Sequence, residues 1–303
     1  IRKGRPVHFL PPYRADNKLK MCRWLGICPD AIADRISIEL AIAVVSLRDK
    51  KSDEEIREIE DACEIGYRMH TTAMKMCRPG VRERDIAGAI EGIALEMGEG
   101  VSFHSIVTQH GETLHNHGHD GILESGRLLL VDAGAENLMN YCSDFTRTFP
   151  VNGKFTPMQR DIYEIVLAAN AHAFGMAKPG LLYKEVHLAC VKVVLEGLKS
   201  LGLVRGDVDE AVARGVHALF MPHGLGHLMG LDVHDMEDIG EKYVGYDLET
   251  ERSTQLGVSN LRMARRLQTG MVMTDEPGIY FIPAYIAKWK AEGTNKEFVN
   301  FDK

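Results

Sequence analysis

The chain has 303 residues, 45% of them hydrophobic and 26% charged, with a formal net charge of −7. That length allows one large or two modest domains with an ample core, while the negative balance and scattered Lys and Arg argue against nucleic acid as a partner. Six well-separated cysteines with no C-x-x-C pair argue against a zinc finger or disulfide framework and suit reduced thiols in a cytoplasmic setting, and the longest apolar run, Ile38 to Leu47, is about half a membrane span and contains Glu39.

The first fifty residues carry the Pro11-Pro12 turn signal and that apolar run, too little for a comfortable domain. Ser52, followed three residues later by Glu55, forms a capping-box pattern, which puts a domain boundary near Ser52. Residues 1–51 are therefore expected to be the remnant of a preceding domain with its linker, and residues 52–303 the main domain. The chain begins with Ile1 and not Met, so a fragment is expected.

Beyond Ser52, Ile56, Ile59, Cys63, Tyr67 and Met74 recur at helical spacing and predict a long amphipathic helix. Pro79-Gly80-Val81 follows, then a helical stretch from Glu83 toward Met97. The pattern returns a hundred residues later: a helix over Tyr163 to Met176, Pro179-Gly180-Leu181, and another helix. Val81 registers with Leu181, Asp85 with Glu185, Ile86 with Val186, and Ala89 with Ala189, which predicts an internal duplication. Strand-like segments lie at Arg127 to Val131, Tyr141 to Phe149 and Met271 to Thr274, giving an α/β fold with helices covering a mixed sheet.

Four segments place an acid or imidazole where an ordinary strand or turn does not need one. Asp132 ends the apolar run Leu128 to Val131, where a carboxylate is strongly disfavoured unless paired or bound to metal; it also reads as the opening of a turn. Asp144 shares a strand face with Cys142, Thr146 and Thr148, and a hairpin through Glu136 to Asn140 brings it to the same side as Asp132. A structural pairing with Arg147 or Arg127 is the alternative. His223 and His227 are separated by a glycine-rich step that disfavours a helix, with His234 close behind; a lone histidine reads as a hydrogen-bonded core residue, but three within twelve positions read as a site. Glu276 ends the apolar Met271 to Thr274 segment just before Pro277-Gly278, where sites tend to be built, or stands as a solvated turn acid. Two Asp, one His and one Glu form an oxygen-rich donor set suited to Mn²⁺, Fe²⁺ or Co²⁺, and to a pair of ions bridged by carboxylates. No G-x-S-x-G elbow or phosphate-binding loop competes with it.

The ordered series Val131-Asp132-Ala-Gly, Ser143-Asp144-Phe-Thr-Arg-Thr-Phe-Pro150, His223-Gly-Leu-Gly-His227, Leu231-Asp-Val-His-Asp235 and Glu276-Pro-Gly resembles the creatinase-fold, M24-type, proline-directed metallopeptidases, prolidase and aminopeptidase P above all. The resemblance runs from about Ser52 to the C-terminus, and Pro11-Pro-Tyr-Arg14 resembles part of the domain that precedes it in those proteins. It implies the duplicated pita-bread α/β fold, with a largely antiparallel mixed sheet, and hydrolysis of the Xaa-Pro bond with proline-containing dipeptides or peptides as partners. Two divalent ions are implied, manganese first, with cobalt, iron or zinc as alternatives. By the same resemblance Asp132 would hold one ion, Asp144 would bridge both, and His227 and Glu276 would hold the other. His115, His223 and His234 would line the pocket and serve the scissile carbonyl or shuttle a proton, and Glu276 would orient the attacking water. Arg262 resembles the arginine with which prolidase holds a dipeptide carboxylate, and the inserted segment Glu237 to Ser259 is also prolidase-like. No membrane is expected, and a homodimer is possible.

The sequence departs from the family pattern in three places. The Asp132–Asp144 hairpin is one residue longer than the family pattern, Asp275 replaces a small apolar residue, and the chain stops before the Arg-Ile-Glu strand that supplies a fifth, bridging ligand. That last difference means either a truncated C-terminus, which is expected, or an incomplete second metal site, and the chain as given is expected to bind metal weakly there and to have little activity. Xaa-Pro dipeptidase is the expected activity; an Xaa-Pro aminopeptidase acting on longer peptides and a non-catalytic peptide- or protein-binding module of the same fold are the alternatives.

Overall fold

Two α-helices precede Ser52 in the computed structural model, which describes residues 4–303: α1 (Ala15–Leu25) and α2 (Ile38–Arg48). The apolar run is thus a helix, started by Ser37, whose hydroxyl accepts from the Leu40 amide. α2 buries Ala41 and Val45 in the largest apolar core and leaves Ile42 and Leu47 outside. Its C-terminal end is tied by charge: Arg48 and Lys51 contact the buried Asp235 at 2.6 and 2.8 Å, and Asp49 contacts Arg265 at 2.9 Å. Removing one partner from such a set strands a buried charge, which costs about 3–5 kcal/mol.

The Ser52–Glu55 capping box forms and starts α3 (Asp53–Met76). Its buried stripe is Ile59, Ala62, Ile65, Gly66, Met69, His70 and Ala73, rotated from the expected one, and Tyr67 and Met74 face outward. Small residues decide this. A Cβ on Gly66 would stand 2.8 Å from the Phe145 ring, so the helix lies close to the sheet along its Ala and Gly side. α4 (Glu83–Met97) packs beside α3. The strands β1 (Gly100–Val101), β2 (Ile106–Thr108), β3 (Leu128–Ala133), β4 (Ala135–Glu136) and β5 (Phe145–Pro150) follow. β2, β3 and β5 make an antiparallel sheet in that order, and β1 pairs with β4. Val107, Leu129 and Val131 join Ile86, Ile90 and Met69 in one core between this sheet and the helix pair.

A second capping box, Thr156 with Gln159, starts α5 (Pro157–Met176), six residues earlier than the sequence expectation. α6 (Tyr183–Ser200), α7 (Val208–Ala213), α8 (Glu241–Val244) and α9 (Pro283–Glu292) complete the helices. Met271 to Thr274, expected as a strand, is extended but forms no regular strand. It is hydrogen-bonded to residues 225–229, through Met229 N to Val272 O (3.1 Å), Thr274 N to His227 O (2.9 Å) and Glu276 N to Leu225 O (2.9 Å), with one bridge, Leu228 to Met273.

The duplication repeats at the level of single hydrogen bonds. Gly80 N donates to Leu123 O and Gly180 N to Leu267 O; Leu123 N donates to Val81 O and Leu267 N to Leu181 O; Glu83 N donates to Gly121 O and Tyr183 N to Arg265 O. Gly80 and Gly180 both take the left-handed conformation, at φ 87° and 95°, that each Pro-Gly turn requires. Two helix pairs, α3 with α4 and α5 with α6, are thus each pinned by the same turn to an extended segment, and the site residues come from the segments they cover.

Candidate active site

Asp132, near the end of β3, lies opposite Thr146 of β5, and Asp144 precedes Thr146 by two residues, so both carboxylates share one face. Asp132 Oδ1 is buried and has no hydrogen-bond partner. Burial and the nearby Asp144 raise its carboxyl to about 7, against a hydrogen bond from Thr146.

The second half supplies the other two residues. His227 Nε2 is 3.3 Å from Asp144 Oδ2 and 3.3 Å from Glu276 Oε1. Its Nδ1 lies 3.0 Å from the Leu228 carbonyl, an acceptor only, so Nδ1 carries a proton, which leaves Nε2, on the side of the carboxylates, as the nitrogen a cation would take. Burial acts to lower the His227 pKa, but Asp144 and Glu276 outweigh it and the pKa is raised. Glu276 is raised by desolvation at the cleft floor and by Asp144, against the pull of His227.

Backbone closeness fixes this geometry. A Cβ on Gly226 would lie 2.1 Å from the Thr274 carbonyl oxygen, and one on Gly224 would lie 2.8 Å from Leu261 Cα. Only glycine fits at either position. Thr274 joins the pieces: its hydroxyl accepts from His227 N at 2.9 Å and donates to Glu276 Oε1 at 3.0 Å, and its carbonyl accepts from the Tyr183 hydroxyl at 2.7 Å. Neither Thr274 nor Tyr183 stood out as functional in the sequence. A polar residue inside the apolar Met271 to Thr274 segment was the available signal.

The remaining expected residues stand around this centre, and all eight line one cleft of about 1800 Å³. His115 is exposed and left-handed at φ 54°. His223 Nδ1 lies 2.8 Å from the Gly224 carbonyl, its Nε2 is buried without a partner, and its ring meets Tyr280 edge-on at 5.3 Å. Burial lowers its pKa. The His234 ring stands 4.3 Å from that of His227, and its Nδ1 lies 3.3 Å from Arg262 Nη1. Arg262, 38% exposed, is held by an ion pair with Glu237, a partner the sequence reading missed. Asp275 is beside Glu276 as expected, with both carboxyl oxygens buried and unpaired and its carboxyl raised to about 7 by burial and Glu276.

Three carboxylates and one imidazole lone pair, with an unpartnered buried Asp132 oxygen among them, fit hard or borderline divalent cations. Their contacts are pairwise: among the described residues no three His, Cys, Asp or Glu side chains close into a metal cage.

A duplicated α/β frame presenting an acid-rich, histidine-flanked cleft defines a pita-bread fold of the metallopeptidase class. A family model described as metallopeptidase family M24 matches residues 57–297, and the chain belongs to that family. It is 39% identical over 236 residues to an Xaa-Pro aminopeptidase of Escherichia coli K12, covering 77% of this chain and 49% of that one. It is 35% identical over 293 residues to the human Xaa-Pro dipeptidase, covering 91% of this chain and 57% of that one. The solved aminopeptidase PepP of Pseudomonas aeruginosa superposes with a TM-score of 0.74 at 33% identity, over 91% of this chain and 60% of that one. The chain spans about half the length of the curated relatives it matches. Among the described residues no helix is long and apolar enough to cross a membrane, and all six cysteines are free.

Proposed function

We propose that this chain carries the catalytic centre of a hydrolase that cleaves the Xaa-Pro peptide bond, with Xaa-Pro dipeptides as its preferred substrates. The observation that carries the reading is the convergence of Asp132, Asp144, His227 and Glu276, with Asp132 Oδ1 buried and unpaired. Those four side chains would be four of the five ligands to two divalent ions, manganese by preference. When bound, such ions polarise a carbonyl and bring the pKa of water near neutrality.

The chain's own groups have distinct tasks in this reading. Glu276, held by Thr274 through Oε1, orients the attacking water and takes its proton. Arg262 can only donate, so His234 Nδ1 accepts from it, and the neutral ring keeps its proton on Nε2, as a donor for the oxygen that gains charge at the scissile carbonyl. His223 gives its Nδ1 proton to the Gly224 carbonyl and offers Nε2 as an acceptor to the substrate. His115 also lines the cleft and steadies the bound peptide. Arg262 receives the free carboxylate of a dipeptide, for which its planar fork is suited.

Hydrolysis of an Xaa-Pro dipeptide and an Xaa-Pro-Xaa tripeptide under added Mn²⁺ tests the proposal. Faster dipeptide turnover is expected. Preference for the tripeptide would move the protein to the aminopeptidase reading, and failure on both with metal bound would favour a peptide-binding module.

A further inference from the structure

The segments on either side of β2 contain histidines that the site above does not use. His104 precedes β2, and His117 lies on the loop that also carries His115. Their rings stand 5.2 Å apart, centre to centre, and tilted 45°, and both are exposed. Neither ring has a hydrogen-bond partner among the described residues, whereas His119 Nδ1 lies 3.4 Å from the Val107 carbonyl and His110 Nδ1 3.0 Å from Glu112.

The loop that holds His117 is closed at its base by one buried carboxylate. Glu83 accepts from the Gln109 amide at 2.8 Å and from the Gly121 amide at 3.0 Å, so both loop ends hang on the same side chain. Gln109 adds a bond from Nε2 to the Ile122 carbonyl at 2.9 Å. Within the loop, Asn116 Nδ2 donates to Thr108 Oγ1 of β2 at 3.2 Å, and its Oδ1 accepts from the Gly118 amide at 3.1 Å. Asn116 thereby clasps a tight turn around His117 and fastens it to the strand that follows His104. Such fixing lowers the conformational cost of bringing two exposed imidazoles together.

The ring separation has chemical content. Two imidazoles bound through nitrogen to one ion at ~2.1 Å, with a tetrahedral angle between them, have ring centres on the order of 5 Å apart. We infer that His104 and His117 form a two-imidazole binding site for a late first-row transition ion, Cu²⁺, Ni²⁺ or Zn²⁺, beside β2 and the His115 loop and distinct from the carboxylate centre. Its selectivity is narrower than that of the carboxylate centre. With nitrogen donors and no carboxylate between them, the pair follows the steep end of the divalent series and takes Mn²⁺ poorly, while Asp132, Asp144 and Glu276 accept harder ions. Two protein ligands leave water in the other positions, so the ion exchanges readily.

The test is electron paramagnetic resonance of the 303-residue protein titrated with Cu²⁺ after saturation with Mn²⁺ and removal of excess metal, read beside the same titration of His104→Asn, His117→Asn and the double variant. The wild type is expected to show one Cu²⁺ equivalent with coupling to two imidazole nitrogens. Each single variant should weaken that binding by about ten-fold or more, and the double variant should abolish the two-nitrogen signal. Circular dichroism and Mn²⁺ content should be unchanged in all three, because both side chains are exposed and outside the carboxylate centre. A two-nitrogen signal that persists undiminished in the double variant, or a wild type with no such signal, overturns the inference. The outcome is independent of Xaa-Pro hydrolysis.

Discussion

Gly226 lies so close to Thr274 that a Cβ added to it would stand 2.1 Å from the Thr274 carbonyl oxygen. Thr274 also bonds His227 N and Glu276 Oε1, so this one approach sets the spacing of two candidate ligands. Gly226→Ala should force the two segments apart. Overpacking of this kind costs about 1–3 kcal/mol, and disturbing the support of metal ligands costs about 10–100-fold in metal affinity. Thermal unfolding and Mn²⁺ titration check both. Unchanged affinity with a lowered melting temperature would mean that the glycine serves packing alone.

Arg262 decides specificity in the proposed reading. A charge-assisted clamp on a dipeptide carboxylate contributes ~1.5–3 kcal/mol, so Arg262→Met should lower kcat/KM for Xaa-Pro by about one to two orders of magnitude. Activity on Xaa-Pro-Xaa should stay within a few-fold. The substitution also leaves Glu237 without its cation, so the tripeptide is the control that separates lost recognition from local disorder. Equal losses on both substrates would make the Arg262–Glu237 pair a structural one.

Much of this site was legible in the sequence because its groups violate local expectation. Asp132 at the end of an apolar run, Asp144 in a strand pattern and glycines between His223 and His227 all needed a reason, and the structure brings them together. The α4 bounds and the Ser52 cap were equally readable, since both rest on contacts within a few residues. What could not be read depends on distant partners. The α3 stripe follows Gly66 and the Phe145 ring, not the large apolar residues of the helix itself. Met271 to Thr274 is apolar enough for a strand, but strand formation is a property of what lies alongside, and residues 225–229 bond it along one side. Thr274, Tyr183 and Glu237 were missed for the same reason: their roles exist only through long-range hydrogen bonds and ion pairs.

A pH prediction follows from two histidines away from the centre. His187 and His217 are fully buried with their rings 5.8 Å apart, and burial first, with the neighbouring His217 adding for His187, lowers them to about 3 and about 4. Their folded pKa values lie below the unfolded one of ~6.5, so the unfolded state binds more protons and stability is lost as pH falls below that value. Asp132 and Asp275, raised to about 7, act with the opposite sign: their folded forms bind more protons above ~3.9, so that contribution is lost as pH rises toward 7. Whole-protein stability therefore mixes opposing slopes, and the clean quantity is a difference. Between pH 6.5 and about 4, the stability of His187→Leu relative to wild type should improve by about 1.4 kcal/mol per pH unit. Denaturant midpoints measured across that range check it, and a flat difference would show that His187 is solvated or paired in the folded protein.

The central claim, that Asp132, Asp144, His227 and Glu276 together form an Xaa-Pro-cleaving metal centre, is tested most directly by proline release from an Xaa-Pro dipeptide, with bound metal counted on the same samples. Asp144 touches His227 at 3.3 Å and faces Asp132, so it stands between the two halves of the site. Where the fifth, bridging ligand is also supplied, Mn²⁺-loaded wild type should release proline, and Asp144→Asn should lose that activity together with bound metal. Near-normal proline release by Asp144→Asn, with its metal retained, would contradict the account.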